Sequence, residues 1–313
     1  MLRYLANRLA QSLFTLFVIS VVVVMIVHAI PGGPAQAILG QTASEEGIQE
    51  IEEQLGLNEP FHVQYVNYYS DIIFNGDFGE SLVSGAEVEE LIADNLSVTL
   101  MLAFGGLGFA VLIGIPFGLI SGIKRNTPVD EFLTTLSFIG LSVPSFVWGI
   151  IFILVFSLHL GWLPSYGYIP LTEDFRDGIR HLIMPVICIG IVYSAVILRY
   201  VRVEVMENIN KPYMVALESK GLPPYEVYFQ LIRNSLIPAV TVIGLTVGSL
   251  ISAAVVVEIV FAIPGSGKVL LNAIINRDYP VLQGFVLVIA VTYMTANLLV
   301  DILYTYLDPR IQY

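Results

Sequence analysis

Residues 98–122 read VTLMLAFGGLGFAVLIGIPFGLISG and contain no charged side chain. About 20 consecutive apolar residues make a helix long enough to cross the hydrocarbon core of a bilayer. This stretch therefore predicts a membrane-spanning helix.

Five further runs of the same kind lie on either side of the first. They cover residues 9–30, 132–160, 182–198, 235–262 and 281–307, and only the last two carry an acid within them, Glu258 and Asp301. Backbone groups in lipid must be satisfied within each segment, which a helix achieves. The run at residues 9–30 exceeds the apolar core of a signal peptide, about 7–15 residues, which favours an uncleaved span. The chain is therefore predicted to be an all-α polytopic membrane protein with six transmembrane helices.

The composition excludes a soluble enzyme or binding module. Of the 313 residues, 56% are hydrophobic and 13% are charged, and the mean hydropathy is +0.79. Soluble domains carry about 25% charged residues. The net charge of −12 argues against nucleic acid as a partner, because phosphate binding needs basic surface. One cysteine, Cys188, and four scattered histidines give no disulfide and no metal-ligand spacing, so we predict no metal site and no catalytic residue.

The basic residues predict the orientation in the cell membrane. With the N-terminus inside, ten of them face the cytoplasm and four face outside, as the positive-inside bias requires. The ten are Arg3, Arg8, Lys124, Arg125, Arg199, Arg202, Lys211, Lys220, Arg233 and Arg310, and the four are Arg176, Arg180, Lys268 and Arg277. Both termini of this multi-pass chain are therefore expected in the cytoplasm.

The spans and loops divide the chain into three parts. Residues 1–30 form the N-terminal end and first span. Residues 31–97 form an external region with thirteen acids and no Lys or Arg, in which Ile48, Ile51, Leu55 and Leu57 indicate short helices. Residues 98–313 form a five-span core with a cytoplasmic loop at 203–234 and an external loop at 263–280. The external region is interpreted as a docking platform or, alternatively, as a solvated acidic cap.

The cytoplasmic loop, between spans four and five, contains a short helix signal. Residues 206–238, which cover most of this loop and the start of span five, read MENINKPYMVALESKGLPPYEVYFQLIRNSLIP. Pro212 suits the first helical position, and Gly221 followed by two prolines ends a helix. Tyr213, Ala216, Leu217 and Lys220 recur at helical spacing and predict an amphipathic rod of about two turns. Spacing alone leaves two interpretations, docking into a cleft of a soluble partner or lying among lipid headgroups.

Two features near the predicted external side of the membrane are candidates for a functional role. Residues 263–269, IPGSGKV, resemble a phosphate-binding loop, but Ala262 replaces its first glycine and Val269 replaces its hydroxyl residue. We predict instead a turn followed by a short helix over about residues 268–275. Glu258, near the outer end of span five, is a candidate for the translocation path, since intramembrane acids face the protein interior or a wet cavity. Pairing with a base such as Arg277 is the structural alternative.

Several ordered motifs resemble one family. The loop at 213–222 together with RNSLIP at 233–238 is similar to the cytoplasmic signature of binding-protein-dependent ABC transporter permeases, most closely the B-type permease of the dipeptide/oligopeptide/nickel branch. The other matching stretches are HAIPGGP at 28–34, LGLNEP at 55–60, QY at 64–65, GDFG at 76–79, GLSVP at 140–144, EIVFAIPG at 258–265, NRDYP at 276–280 and DPRI at 308–311. The resemblance covers nearly the whole chain.

The resemblance implies a permease subunit of an ATP-driven importer that forms half of a translocation path. Its loop helix is then a coupling helix in a groove of a cytoplasmic ATPase. The implied ATPase-coupling residues are Tyr213, Ala216, Leu217, Gly221 and Leu222. The superfamily signature opens with Glu-Ala-Ala, whereas this chain has Val215-Ala216-Leu217, so the leading acid is absent.

The partners implied by the resemblance are a second, related permease, two ATPases that carry ATP and magnesium, an extracytoplasmic binding protein and membrane lipid. No cofactor is expected on this chain itself. The implied cargo is di- or oligopeptides, with nickel chelates or other small solutes as alternatives. An ion-driven secondary transporter and an intramembrane enzyme are alternatives of other classes, but the enzyme needs convergent catalytic groups at membrane depth, which the sequence lacks.

Overall fold

The structure is a computed structural model that describes residues 2–29, Gln49 and residues 58–307. Its helices are α1 Leu2–Ala29, α2 Phe61–Ser70, α3 Val88–Ile123, α4 Pro128–Ser142, α5 Ser145–Phe152, α6 Phe175–Ile209, α7 Pro212–Ser219, α8 Pro224–Val260, α9 Ser266–Asn276 and α10 Tyr279–Leu307. Short π-helical segments follow α2 at Asp71–Asn75 and α5 at Ile153–His159. In this described part, the one β pairing is an isolated bridge between Glu80 and Glu87. The prediction of an all-α chain is confirmed.

Five helices, α1, α3, α6, α8 and α10, are long and apolar enough to cross a membrane. Each contains or overlaps one of the apolar runs found in the sequence. The helices extend beyond the predicted spans, since α6 has 35 residues and α8 has 37. Charge limits the part of a helix that enters lipid but does not end the helix. Asp174 instead caps α6 by accepting the backbone N–H groups of Arg176 and Asp177 at 2.9 and 3.0 Å.

The third predicted span is a bent pair of helices and not one continuous helix. Helix α4 ends at Ser142, and the chain from Ser145 runs at 99° to it. Val143 between them is extended, with φ −103° and ψ 121°. The proline ring disfavours the helical region for the residue before it, and Val143, before Pro144, has the extended conformation that this favours. Counting this bent pair as one span gives six candidates among the described residues.

The chain folds as two compact units. The larger unit comprises residues 99–263 and the part of α10 from Ala296 onward. The smaller unit comprises residues 264–295 and the described part of residues 2–98.

Close packing of α3 on α6 builds the larger unit. Small residues recur every four positions along α3 at Ala110, Gly114, Gly118 and Gly122. A Cβ atom added to the three glycines would lie 2.8, 2.7 and 2.6 Å from the Cβ atoms of Ile197, Val201 and Val205, respectively. In lipid, such small residues drive helix association by letting backbones approach. The stripe therefore fixes the position of the second half of α6, which leads into α7.

In the smaller unit, the loop before α3 is joined to the turn between α9 and α10. Asp278 is 5% exposed, and it accepts the Ser81 hydroxyl at 2.5 Å and the Leu82 N–H at 3.1 Å. Helix α2 is held to α1, since the hydroxyl oxygens of Tyr65 and Ser20 lie 2.6 Å apart. The positions that predicted helices at residues 48–57 lie outside the described residues.

Candidate functional site

The loop between α6 and α8 forms the helix that the sequence predicts. Helix α7 begins at Pro212 and ends at Ser219. Lys220 and Gly221 close it, because their N–H groups donate to the carbonyls of Ala216 at 3.2 Å and Glu218 at 2.9 Å. Gly221 has φ +70°, a left-handed conformation that glycine adopts without steric cost. The helix stop predicted at Gly221 is thus confirmed.

The inner face of α7 is anchored in an apolar cluster of the larger unit. Met214 is 4% exposed and packs in a cluster with Val205 of α6 and Leu231 of α8. Tyr213, Leu217 and Leu222 are partly buried against the same cluster. Apolar packing therefore holds α7 to the ends of two long helices.

Asn208, in the last turn of α6, fixes the start of α7. It is 4% exposed, and its amide NH₂ donates to the carbonyl of Glu204 at 2.8 Å. Its side-chain oxygen accepts from Lys211 Nζ at 3.0 Å and from the Tyr213 hydroxyl at 3.4 Å. A buried amide with its hydrogen bonds made sets the direction in which the chain leaves α6.

The outer face of α7 is exposed. Val215 is 61% exposed, and Ala216, Glu218 and Ser219 are also exposed. The first two turns of α8 expose three aromatic residues, Tyr225 at 71%, Tyr228 at 46% and Phe229 at 62%. We call this set, residues 215, 216, 218, 219, 225, 228 and 229, the outer surface of the loop.

The helix is amphipathic, but the predicted arrangement of its faces is wrong. Tyr213 and Leu217 are on the packed side, whereas Ala216 and Lys220 are exposed. A turn of 3.6 residues puts Leu217 about 60° from Met214 and Ala216 about 160° from it. The sequence does contain a signal for the packed face, since Met214 and Leu217 are three residues apart. A two-turn helix offers too few repeats to decide between neighbouring stripes.

Glu258 lies in the last turn of α8 and is fully buried in the larger unit. Its carbonyl accepts the N–H of Ile263 at 2.9 Å, where Ala262 turns the chain with φ +52°. The role of Glu258 in the translocation path stays a prediction.

The helix predicted over residues 268–275 is present as α9, Ser266–Asn276. Its C-terminal half exposes three apolar residues, Leu271, Ile274 and Ile275. Across the part of the chain that the structure describes, no group of three His, Cys, Asp or Glu residues is placed to hold a metal ion.

Comparison with protein families gives two adjoining matches. Residues 114–313 match the family "Binding-protein-dependent transport system inner membrane component". Residues 1–103 match the family "Binding-prot-dependent transport system membrane comp, N-term". Together the matches span nearly the entire chain.

Named relatives are similar over their full length. The probable peptide ABC transporter permease protein y4tP of Sinorhizobium fredii is 36% identical over 311 residues, 99% of each chain. The dipeptide transport system permease protein DppB of Alkalihalophilus pseudofirmus is 36% identical over 334 residues, 100% of each chain. The glutathione transport system permease protein GsiC of Escherichia coli is 37% identical over 314 residues, again 100% of each chain.

Two solved structures share the fold. The MetNI methionine ABC transporter, in inward-facing conformations, matches with a TM-score of 0.57 and 16% identity over 70% of this chain and 97% of its own. An amino acid ABC transporter matches with a TM-score of 0.51 and 16% identity over 71% of this chain and 95% of its own. At this identity the likeness is one of fold alone.

Proposed function

Because this chain belongs to the family of binding-protein-dependent transport system inner membrane components, and is thus a membrane subunit of an ATP-driven importer, we propose that α7 engages its ATPase. The family that the sequence motifs resemble is thereby confirmed. Members of this family work with separate ATPase subunits, which hydrolyse ATP, and with a binding protein. The permease itself is not an enzyme.

The geometry of α7 carries the proposal. Its inner face is fixed by Met214, whereas Val215 and Ala216 are exposed on the outer surface of the loop. An eight-residue helix that begins beside the hydrogen-bonded Asn208 and ends at Gly221 moves as a rigid body, and its exposed outer face suits a groove on a partner. A partner that binds α7 differently in two nucleotide states will bias the conformation of the permease.

The proposed orientation puts α7 in the cytoplasm, where ATP is available. It rests on the distribution of ten basic residues on one side and four on the other. A second, related permease and two ATPases complete the proposed assembly. The remaining half of the path then comes from the second permease.

The proposed cargo is a peptide. Three relatives of 36–37% identity are named for peptide, dipeptide and glutathione transport, and glutathione is itself a short peptide. Mass spectrometry of the ligand that co-purifies with the binding protein of this system tests the cargo. Recovery of a nickel chelate in place of a peptide would contradict it.

The role of α7 is tested by charge at its outer surface. In the full transporter, Ala216→Arg puts a long charged side chain where the ATPase groove is proposed to lie. We expect at least a tenfold loss of ATPase co-purifying with the permease, and loss of import. Thr172→Arg is the matched control, because Thr172 is also exposed but lies in the loop before α6. An Ala216→Arg variant that retains its ATPase and normal import would refute the role of α7.

A further inference from the structure

A buried carboxylate at the start of α4 collects five hydrogen-bond donors. Asp130 is 3% exposed, and Arg202 binds it with both prongs of its guanidinium, Nε to Oδ1 at 2.7 Å and Nη2 to Oδ2 at 2.8 Å. The Ser121 hydroxyl donates to Oδ1 at 2.5 Å, and the Thr134 hydroxyl at 3.3 Å. The N–H of Asn126 donates to Oδ2 at 3.0 Å.

This cluster joins three helices of the larger unit. Ser121 is at the end of α3, Asn126 is in the turn that follows, Asp130 and Thr134 are in α4, and Arg202 is in α6. The turn is tight, since Asn126 has φ +58°. The α3–α4 connection is therefore bound to α6 at one point.

That point adjoins the anchor of α7. Arg202 follows Val201 directly and lies one turn before Val205, and both valines belong to the apolar cluster that buries Met214. The same stretch of α6 thus holds α7 through apolar contacts and α4 through the ion pair. Beyond Asp130, α4 continues to the break at Val143, where the chain bends by 99° into α5.

Stability alone does not account for an ion pair at this position. Asp130 is buried and Arg202 is partly buried, so loss of hydration offsets part of their attraction, and apolar residues of similar size are often as stable. A two-pronged Arg–carboxylate contact instead fixes the relative orientation of the elements that carry it. A fixed relative orientation is needed if one helix is to move together with another.

We propose that Asp130 and Arg202 are positioning residues for energy coupling, which make α4 follow α6 and α7 when the ATPase moves them. The inference rests on the proposed role of α7. It identifies the bent pair of α4 and α5 as the element that receives the displacement.

The test measures import per ATP hydrolysed by the full transporter in proteoliposomes. Asp130→Asn/Arg202→Gln removes both charges, keeps similar shapes and leaves no buried charge without a counterion. We expect this double variant to assemble with its ATPase and to hydrolyse ATP within twofold of the parent rate. Its import per ATP should fall at least tenfold. Arg202→Lys keeps the positive charge but loses the two-pronged contact with Asp130, and its import per ATP should fall about threefold.

The exposed pair of Asp177 and Arg180, 3.2 Å apart in the first turns of α6, supplies the control. Asp177→Asn/Arg180→Gln should leave import per ATP unchanged. Normal import per ATP in the Asp130/Arg202 double variant, or failure of that variant to assemble, would overturn the proposal. Retention of the ATPase and normal import by Ala216→Arg would refute the role of α7, on which this inference rests. Loss of the ATPase in Ala216→Arg together with normal import per ATP in the Asp130/Arg202 double variant would refute the inference alone, so the two failures are distinguishable.

Discussion

Replacement of one glycine by alanine on α3 tests the packing that positions the site. A Cβ atom at Gly118 would lie 2.7 Å from the Cβ of Val201 and 2.8 Å from the carbonyl oxygen of Leu198. The second contact is with backbone, which cannot rotate away. Gly108, on the same helix, is exposed and has no neighbouring atom within 4 Å of an added Cβ, so it is the matched control.

The expected difference follows from these distances. Both substitutions gain the helix propensity of alanine, about 1 kcal/mol per site. Gly118→Ala also forces α3 and α6 apart, and such overpacking costs about 1–3 kcal/mol. Because the propensity gain is common to both variants, Gly118→Ala should be less stable than Gly108→Ala by that packing cost of about 1–3 kcal/mol.

Unfolding can be followed with the protein's own thiol. Cys188, the single cysteine, is fully buried, so a fluorogenic maleimide reacts with it as the purified protein unfolds on heating in detergent. Gly118→Ala should react at a temperature several degrees lower than Gly108→Ala. Equal transition temperatures for the two variants would show that α3 and α6 are not packed as closely as the structure has them.

Two further predictions concern the loop that carries α7. Gly221→Val should weaken ATPase co-purification, because a β-branched residue at φ +70° costs more than about 1–2 kcal/mol. Asparagine tolerates this conformation, so Gly221→Asn should retain the ATPase. Equal ATPase binding by the two variants would contradict the role of Gly221 as the helix stop. For the orientation, Lys220→Cys should escape a membrane-impermeant maleimide in intact cells and react in inside-out vesicles, whereas Thr172→Cys should do the reverse. Buried Cys188 keeps the background low, and labelling of Lys220→Cys in intact cells would invert the proposed topology.

The long helices were predictable because lipid excludes charge, and gaps between charged residues mark where the chain enters it. The same signal misses the break at Val143, since no charge accompanies it. Pro144 is the local clue, but Pro116, Pro185 and Pro238 lie within unbroken helices, so a proline does not by itself break a helix.

The candidate site was predictable where the information is local. Gly221 as a helix stop depends on a backbone conformation of one residue. The contacts of Asn208 depend on where α7 turns after α6, which no short pattern specifies. The pairing of Asp130 with Arg202 joins residues 72 positions apart, and a sequence with ten basic residues predicted on one side offers too many possible partners.

An exposed apolar side chain in a membrane protein can face lipid or a partner protein, and the length of its helix distinguishes the two cases. On a helix of 28 residues such as α1, exposed Leu13 and Phe14 are what lipid contact requires. Helix α7 has eight residues and cannot span a bilayer, yet Val215 remains exposed on it. The opposite face of α7 is already packed, so the rest of this chain does not bury Val215. An exposed apolar residue of this kind is stabilised when a partner protein covers it. Hydropathy identifies the spans, whereas the surface for a partner emerges only after the packed face of α7 has been located.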